Sequence, residues 1–210
     1  MGIPVYLAVK KEEAINYPKK YLAQFGYGLR RDGQLRIPEE PVNGPIIIDD
    51  AIAGTWSEDA LKELAGYCKN GYILDFERPF SEGHRRLMAA LPPEKLLAIP
   101  ANCFNPRLKG LPVLACPSVC NSWLQFLENS NQKFPRGWAL EITPWKLQKK
   151  SRPGESSGFL LQSLCRYTRS GGIVTYYDTR ETLCKKLKLA RDYRCRAAIA
   201  VLEEVRPLRK

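Results

Sequence analysis

Short apolar runs that end in carboxylates, alternating with helical patterns, constrain this chain more than any other feature. Val5 to Val9 is the first. Gly44 to Asp50 is a continuous apolar run bounded by turn residues and closed by Asp49-Asp50, as expected of a strand buried on both faces. Thr55-x-x-Glu58 has capping-box spacing, and Leu61, Leu64, Ala65 and Cys68 follow on one helix face. Gly71 to Glu77 is the next strand, ending in Asp75-Phe76-Glu77, and a helix spans His84 to Leu91 before Pro92-Pro93. Lys95–Ile99, Leu111–Cys116, Gly137–Thr143, Ile173–Asp178 and Arg196–Glu203 complete a set of strands, with helices expected over Ser122–Leu127, over Gly158–Thr168 ended by Gly171-Gly172, and from Asp178-x-x-Glu181 onward.

Eight strands separated mostly by helical patterns imply parallel pairing, and eight closes a TIM barrel. The expected fold is α/β, a compact TIM-like (β/α)8 barrel in a single domain over residues 1–210, with some helices shortened or missing because 210 residues lie at the low end for that architecture. Residues 99–111 leave room for a loop but hardly a helix, and Tyr27–Arg31 with Gln34–Ile37 suggests a hairpin around Asp32-Gly33. The structural rival is an open doubly wound sheet. No Gly-x-Gly-x-x-Gly follows a strand, which argues against a dinucleotide site.

The N-terminus carries no basic leader before its apolar run, and no stretch of eighteen apolar residues occurs, so a cytoplasmic protein that does not enter a membrane is the expectation. Seven cysteines and one histidine, His84, favour reduced core thiols over a disulfide framework or a zinc site. The net charge of +11 raises nucleic-acid binding, but the basic residues are dispersed, with no helix or hairpin that concentrates them among aromatics. A solvated basic surface is the expectation, and a nucleic-acid partner is not.

In a barrel the C-terminal strand ends form the active-site rim. Asp50, Asp75, Glu77, Glu141, Tyr176, Tyr177 and Asp178 fall there, although Asp178 also suits a helix cap. Asp75 and Glu77 alternate to one side of their strand, roughly 6.6 Å apart from a rise of about 3.3 Å per residue, while Phe76 points into the packing. Close carboxylates keep a proton available near neutral pH, the requirement for general-acid work on a glycosidic oxygen. Pairing with Arg78 or a nearby Lys is the plainer alternative. Trp56 and Trp145 follow strand ends in polar loops and are the candidate sugar platforms, Trp123 suits the core, and His84 suits the surface or an interface. The stretch from Lys146 to Ser157 suits a polar loop.

Gly71-Tyr72-Ile73-Leu74-Asp75-Phe76-Glu77 resembles the strand signature of family 18 glycoside hydrolases (chitinases and endo-β-N-acetylglucosaminidases), D-G-x-D-x-D-x-E. Glycine, last aspartate and glutamate match in spacing; Ile73 stands where the family has an aspartate, and Asn70 precedes the glycine. The resemblance implies Glu77 as proton donor and Asp75 orienting a substrate N-acetyl group that is itself the nucleophile. Tyr176 or Tyr177 with Asp178 is similar to the family's Tyr-Asp pair for that group. Counted along the sequence these features sit on the third and seventh strands, whereas the family carries them on its fourth and sixth.

The expected activity is glycoside hydrolysis of a glycan, with no metal or organic cofactor and a carbohydrate as partner. Two other readings stay open: a non-catalytic carbohydrate-binding barrel, and a hydrolase holding Mg²⁺ between Asp50, Asp75, Glu77 and Glu141.

Overall fold

A computed structural model describes residues 2–10, 17–118, 121–144 and 146–209. In chain order the strands and helices are β1 (Val5–Val9), β2 (Leu22–Leu29), β3 (Leu35–Arg36), β4 (Ile46–Asp49), α1 (Glu58–Tyr67), β5 (Tyr72–Asp75), α2 (Glu82–Ala90), β6 (Leu96–Pro100) and β7 (Leu111–Ala115). There follow α3 (Trp123–Lys133), β8 (Trp138–Ile142), β9 (Lys146–Lys150), β10 (Ser156–Leu160), β11 (Cys165–Ser170), β12 (Ile173–Tyr177), α4 (Arg180–Asp192), β13 (Cys195–Val201) and the short α5 (Leu202–Val205).

Hydrogen bonding runs β1-β13-β8-β7-β6-β5-β4-β2, and β1 also pairs with β2, so eight parallel strands form a closed TIM-type ladder. Closure satisfies both edges of every barrel strand. Few helices accompany the strands: none lies between β6 and β7, as the short residue span there requires. Among the described residues no helix is long and apolar enough to cross a membrane.

Contacts group the chain into two compact units, Val5–Val113 and Met1–Pro4 with Leu114–Lys210. In the first, β4 and β5 run side by side with Ile46 opposite Tyr72 and Asp49 opposite Asp75. Ile46, Ile48, Tyr72, Leu74 and Phe76 pack with Leu61 and Leu64 of α1 and Leu87 of α2 in one core. Alternation then turns Ile47, Asp49, Ile73 and Asp75 to the opposite side of these strands. Helix α1 is capped by Ser57, whose hydroxyl accepts from Ala60 N at 3.2 Å, two residues beyond the Thr55 cap expected from spacing.

The sequence suggests β2 only as the arm of a hairpin. The hairpin is present, with Gly28 opposite Arg36 and Leu29 opposite Leu35, but β2 is also the second barrel strand. Its pattern is broken by two glycines and by Gln24, which is fully buried. That side chain is satisfied by Val42 N donating to Oε1 at 2.7 Å and Nε2 donating to Glu40 O at 2.7 Å. Adding β2 moves β5 to fourth place in the barrel, the position the family signature occupies.

In the second unit β8 and β13 pair in parallel, Ala198 opposite Leu140. Between them the chain makes a four-stranded antiparallel sheet, β10-β11-β12-β9. Three expectations are corrected here. Residues 158–168 are two strands rather than a helix, because a turn at Leu161–Leu164, with Leu164 at φ 51°, breaks the apparent helical spacing. Residues Lys146–Ser157 supply β9 and the start of β10 rather than a polar loop throughout. Ile173–Tyr177 is a strand of this sheet and not of the barrel, whose eighth member is β13. Gly171 and Gly172, at φ 56° and 77°, make the tight β11–β12 hairpin turn that favours glycine at both positions.

Candidate active site

Strand β5 ends at Asp75, and Phe76 is buried while Asp75 and Glu77 are exposed, as alternation requires. The peptide beyond the strand is fixed by Asp50. Its Oδ1 accepts from Glu77 N at 2.9 Å and its Oδ2 from Arg78 N at 2.9 Å. Arg78 returns the contact, donating from Nε to Asp50 O at 2.8 Å and from Nη2 to Ala51 O at 3.0 Å. Asp50 is therefore a positioning residue for the backbone of Glu77, with both carboxylate oxygens engaged.

His84 completes the clamp. The sequence suggests a surface or interface position; His84 is instead 7% exposed, in the first turn of α2, and packs against Phe76 and Phe80. Ser81 N donates to Nδ1 at 2.9 Å, so the proton of the neutral ring sits on Nε2, which meets Asp50 Oδ2 at 3.1 Å. Nothing in the spacing of Asp50 and His84 signals this pairing, which depends on where β4 and α2 meet.

Asp49 closes the same apolar run as Asp50 but stands outside the candidate set drawn from the sequence. It is the last residue of β4 on the same side as Asp75, its register partner. Arg36 bonds and ion-pairs with its Oδ2, while Ala51 N donates to Oδ1 at 3.0 Å. Gly28 makes room for this pair: a Cβ there would lie 2.9 Å from Arg36 Nη2 and 3.0 Å from Asp49 Oδ1. Strand parity counted back from Ile47 is the signal that singles out Asp49 rather than Asp50 for the rim.

A cavity of about 320 Å³ opens beside this clamp, lined by Asp50, Trp56, Arg78, Ser81 and His84 among others; neither Asp75 nor Glu77 lines it. Trp56 lines that cavity but is only 6% exposed, so it is largely core rather than an open platform. Trp145 lies outside the described residues.

The remaining rim candidates belong to the second unit. Glu141 is an exposed residue of β8 whose carbonyl accepts from Cys116 N at 3.0 Å. Tyr176 and Tyr177 are partly buried on β12, off the barrel. Asp178 is buried, its carboxylate accepting from Lys186 Nζ at 2.8 Å and Thr182 Oγ1 at 3.1 Å. Lys186 is as buried as its partner and lies 5.4 Å from the centre of the Trp123 ring. The sixth barrel strand, β7, runs instead into Cys116-Pro117-Ser118, so a Tyr-Asp pair does not stand there. Burial pushes the Cys116 thiol up to about 11 against the opposing pull of Lys186. Among the described residues no three His, Cys, Asp or Glu side chains gather as a metal-holding group.

No family model matches the chain, and no curated protein matches its sequence. Solved structures do match. The class V chitinase from Nicotiana tobaccum superposes with a TM-score of 0.57 at 13% identity, covering 95% of this chain and 93% of the other. The Bacillus cereus spore cortex-lytic enzyme SleL gives 0.61 at 11% identity over 94% and 70%. A plant class V chitinase mutant from Cycas revoluta in complex with (GlcNAc)3 gives 0.56 at 12% identity over 96% and 95%. The chain has the fold of the family 18 chitinases. A likeness at this identity concerns the barrel, and the chemistry rests on this chain's own residues.

Proposed function

We propose that the protein is a glycoside hydrolase of the family 18 type, acting on an N-acetylhexosamine-containing glycan with Glu77 as general acid. The observation that supports this most is the place of Asp75 and Glu77: exposed, on one side, at the end of the fourth strand of a closed parallel barrel. Asp75 is positioned to orient the substrate's N-acetyl group, whose oxygen attacks the anomeric carbon as Glu77 protonates the leaving oxygen. Asp50 and His84 hold the Glu77 backbone in register for that transfer.

Chromogenic N-acetylglucosaminides and chito-oligosaccharides test the reading. Wild-type protein should turn over at least one of them, and Glu77→Gln should lower that rate by about 1,000-fold. Full activity in Glu77→Gln removes Glu77 from the role.

A second reading is favoured by one residue. Ile73, at the middle aspartate of the family signature, is 3% exposed and gives Asp75 no carboxylate partner at that position. A glycan-binding barrel without turnover fits this substitution, and tight oligosaccharide binding with no hydrolysis across the panel would select it.

A further inference from the structure

The β9–β12 sheet carries charge and aromatics that the barrel does not require. Residues 144–177 contain six basic side chains and one acidic one; Lys146, Lys150 and Arg166 share one face of the sheet, while Lys149 and Arg169 lie with Val174 on the other. Register puts Lys146, Tyr177, Arg166 and Phe159 in one row across β9, β12, β11 and β10. Directly opposed residues share a face, so cation and ring alternate along the row, with Lys146 and Arg166 about 10 Å apart. The next row on the same face is Gln148, Thr175, Thr168 and Ser157, all hydrogen-bonding side chains. Lys150 and Ile173 follow, both exposed.

The two faces differ in burial. Val174 and Cys165 are buried and Leu147, Tyr167 and Tyr176 partly so on one side, where the two tyrosine rings lie 6.3 Å apart. The other side leaves Lys146, Gln148, Lys150, Arg166, Thr168 and Phe159 exposed. Lys185 of α4 extends it, its Nζ 5.2 Å from the centre of the Phe159 ring. Glu181 accepts from Lys185 and Arg166, each at 2.8 Å. Exposed pairs of this kind are worth little and exchange readily for an incoming anion. The concentration of cations among aromatics that the linear sequence did not display is thus made by strand register.

We propose that this exposed face binds an anionic glycan, an extended N-acetylhexosamine polymer that carries carboxylates. The inference rests on the glycan reading above and names the substrate class: Lys146, Lys150 and Arg166 meet carboxylates, Phe159 and Tyr177 stack on sugar faces, and the Gln148–Ser157 row bonds hydroxyls. Nucleic acid would use the same cations and rings but leaves the neutral polar row without polyhydroxyl partners, so the glycan is favoured.

Fluorescence anisotropy with a labelled hyaluronan decasaccharide, a neutral N-acetylglucosamine hexamer and a single-stranded oligothymidylate tests it. Hyaluronan should bind tightest, and more weakly as salt is added. Lys146→Gln with Arg166→Gln should weaken hyaluronan binding by on the order of tenfold at low salt. Phe159→Ala should weaken it at low and high salt alike, since stacking is not screened. Equal thermal midpoints establish that the variants are folded. The proposal is overturned if the oligothymidylate or the neutral hexamer binds as tightly as hyaluronan, or if the folded variants bind like wild type. Wild-type protein that binds hyaluronan but turns over none of the chromogenic glycosides or oligosaccharides shows the hydrolase reading failing by itself, with this proposal intact.

Discussion

Asp50 holds the loop that carries Glu77 through two backbone N–H groups and one imidazole. Its side chain is only 10% exposed, so water replaces few of these contacts when the carboxylate is removed. Asp50→Ala should therefore cost about 3 kcal/mol in urea unfolding, the scale of hydrogen bonds to a buried charged group left unmet. If the proposed chemistry is right, the same variant also loses turnover while the Glu77 side chain remains in place. A residue with a purely structural role would lower the unfolding midpoint without moving kcat of the folded fraction. Reactivity follows burial at this scale too: among the described cysteines, only Cys184 is exposed. Iodoacetamide on native protein at mildly alkaline pH should label Cys184 ahead of Cys68, Cys116 and Cys195, which react only after unfolding, read by peptide mass spectrometry.

Helix α4 is tied to the end of β12 by a buried ion pair, Lys186 in its second turn against Asp178. Lys186→Met leaves the carboxylate buried without its cation and should cost about 3–5 kcal/mol, whereas Lys186→Met with Asp178→Leu should recover most of that loss. Chemical denaturation of the two variants separates the cost of an orphaned charge from the worth of the pair. Seven of the eight barrel strands were legible in the sequence, because β1, β4, β5, β6, β7, β8 and β13 are apolar runs bounded by turn residues. Strand β2 was not, since Gly26, Gly28 and a buried Gln24 break both alternation and apolar continuity. The strand wrongly taken for its place, Ile173–Tyr177, has the same local character and differs only in its partners, which lie in other segments. The same limit governs the site. Asp75 and Glu77 follow from local alternation, but the Asp50–His84 clamp joins residues 34 apart, and the Asp178–Lys186 pair is made by burial of both side chains, which spacing does not display.

Across the whole molecule, buried thiols set the alkaline limit together with Tyr27 and Tyr72, whose hydroxyls burial also pushes up. Burial pushes Cys68 and Cys195 up to about 12 and Cys116 up to about 11, from an ordinary 9.0. The unfolded chain releases these protons first, so stability is full below pH 9 and falls as pH rises from there through about 11 to 12. Thermal melts over that range should show a falling midpoint, and Cys116→Ala or Cys195→Ala should shallow the fall. Strand β9 has a consequence of another kind. It lies at one edge of the antiparallel sheet, and three of its five residues, Lys146, Lys149 and Lys150, are lysines. An open edge is a template on which a second copy can add its own strand and begin an aggregate. Two such edges brought together set like charges against each other, so self-association through β9 is suppressed at low salt and eased as salt screens it.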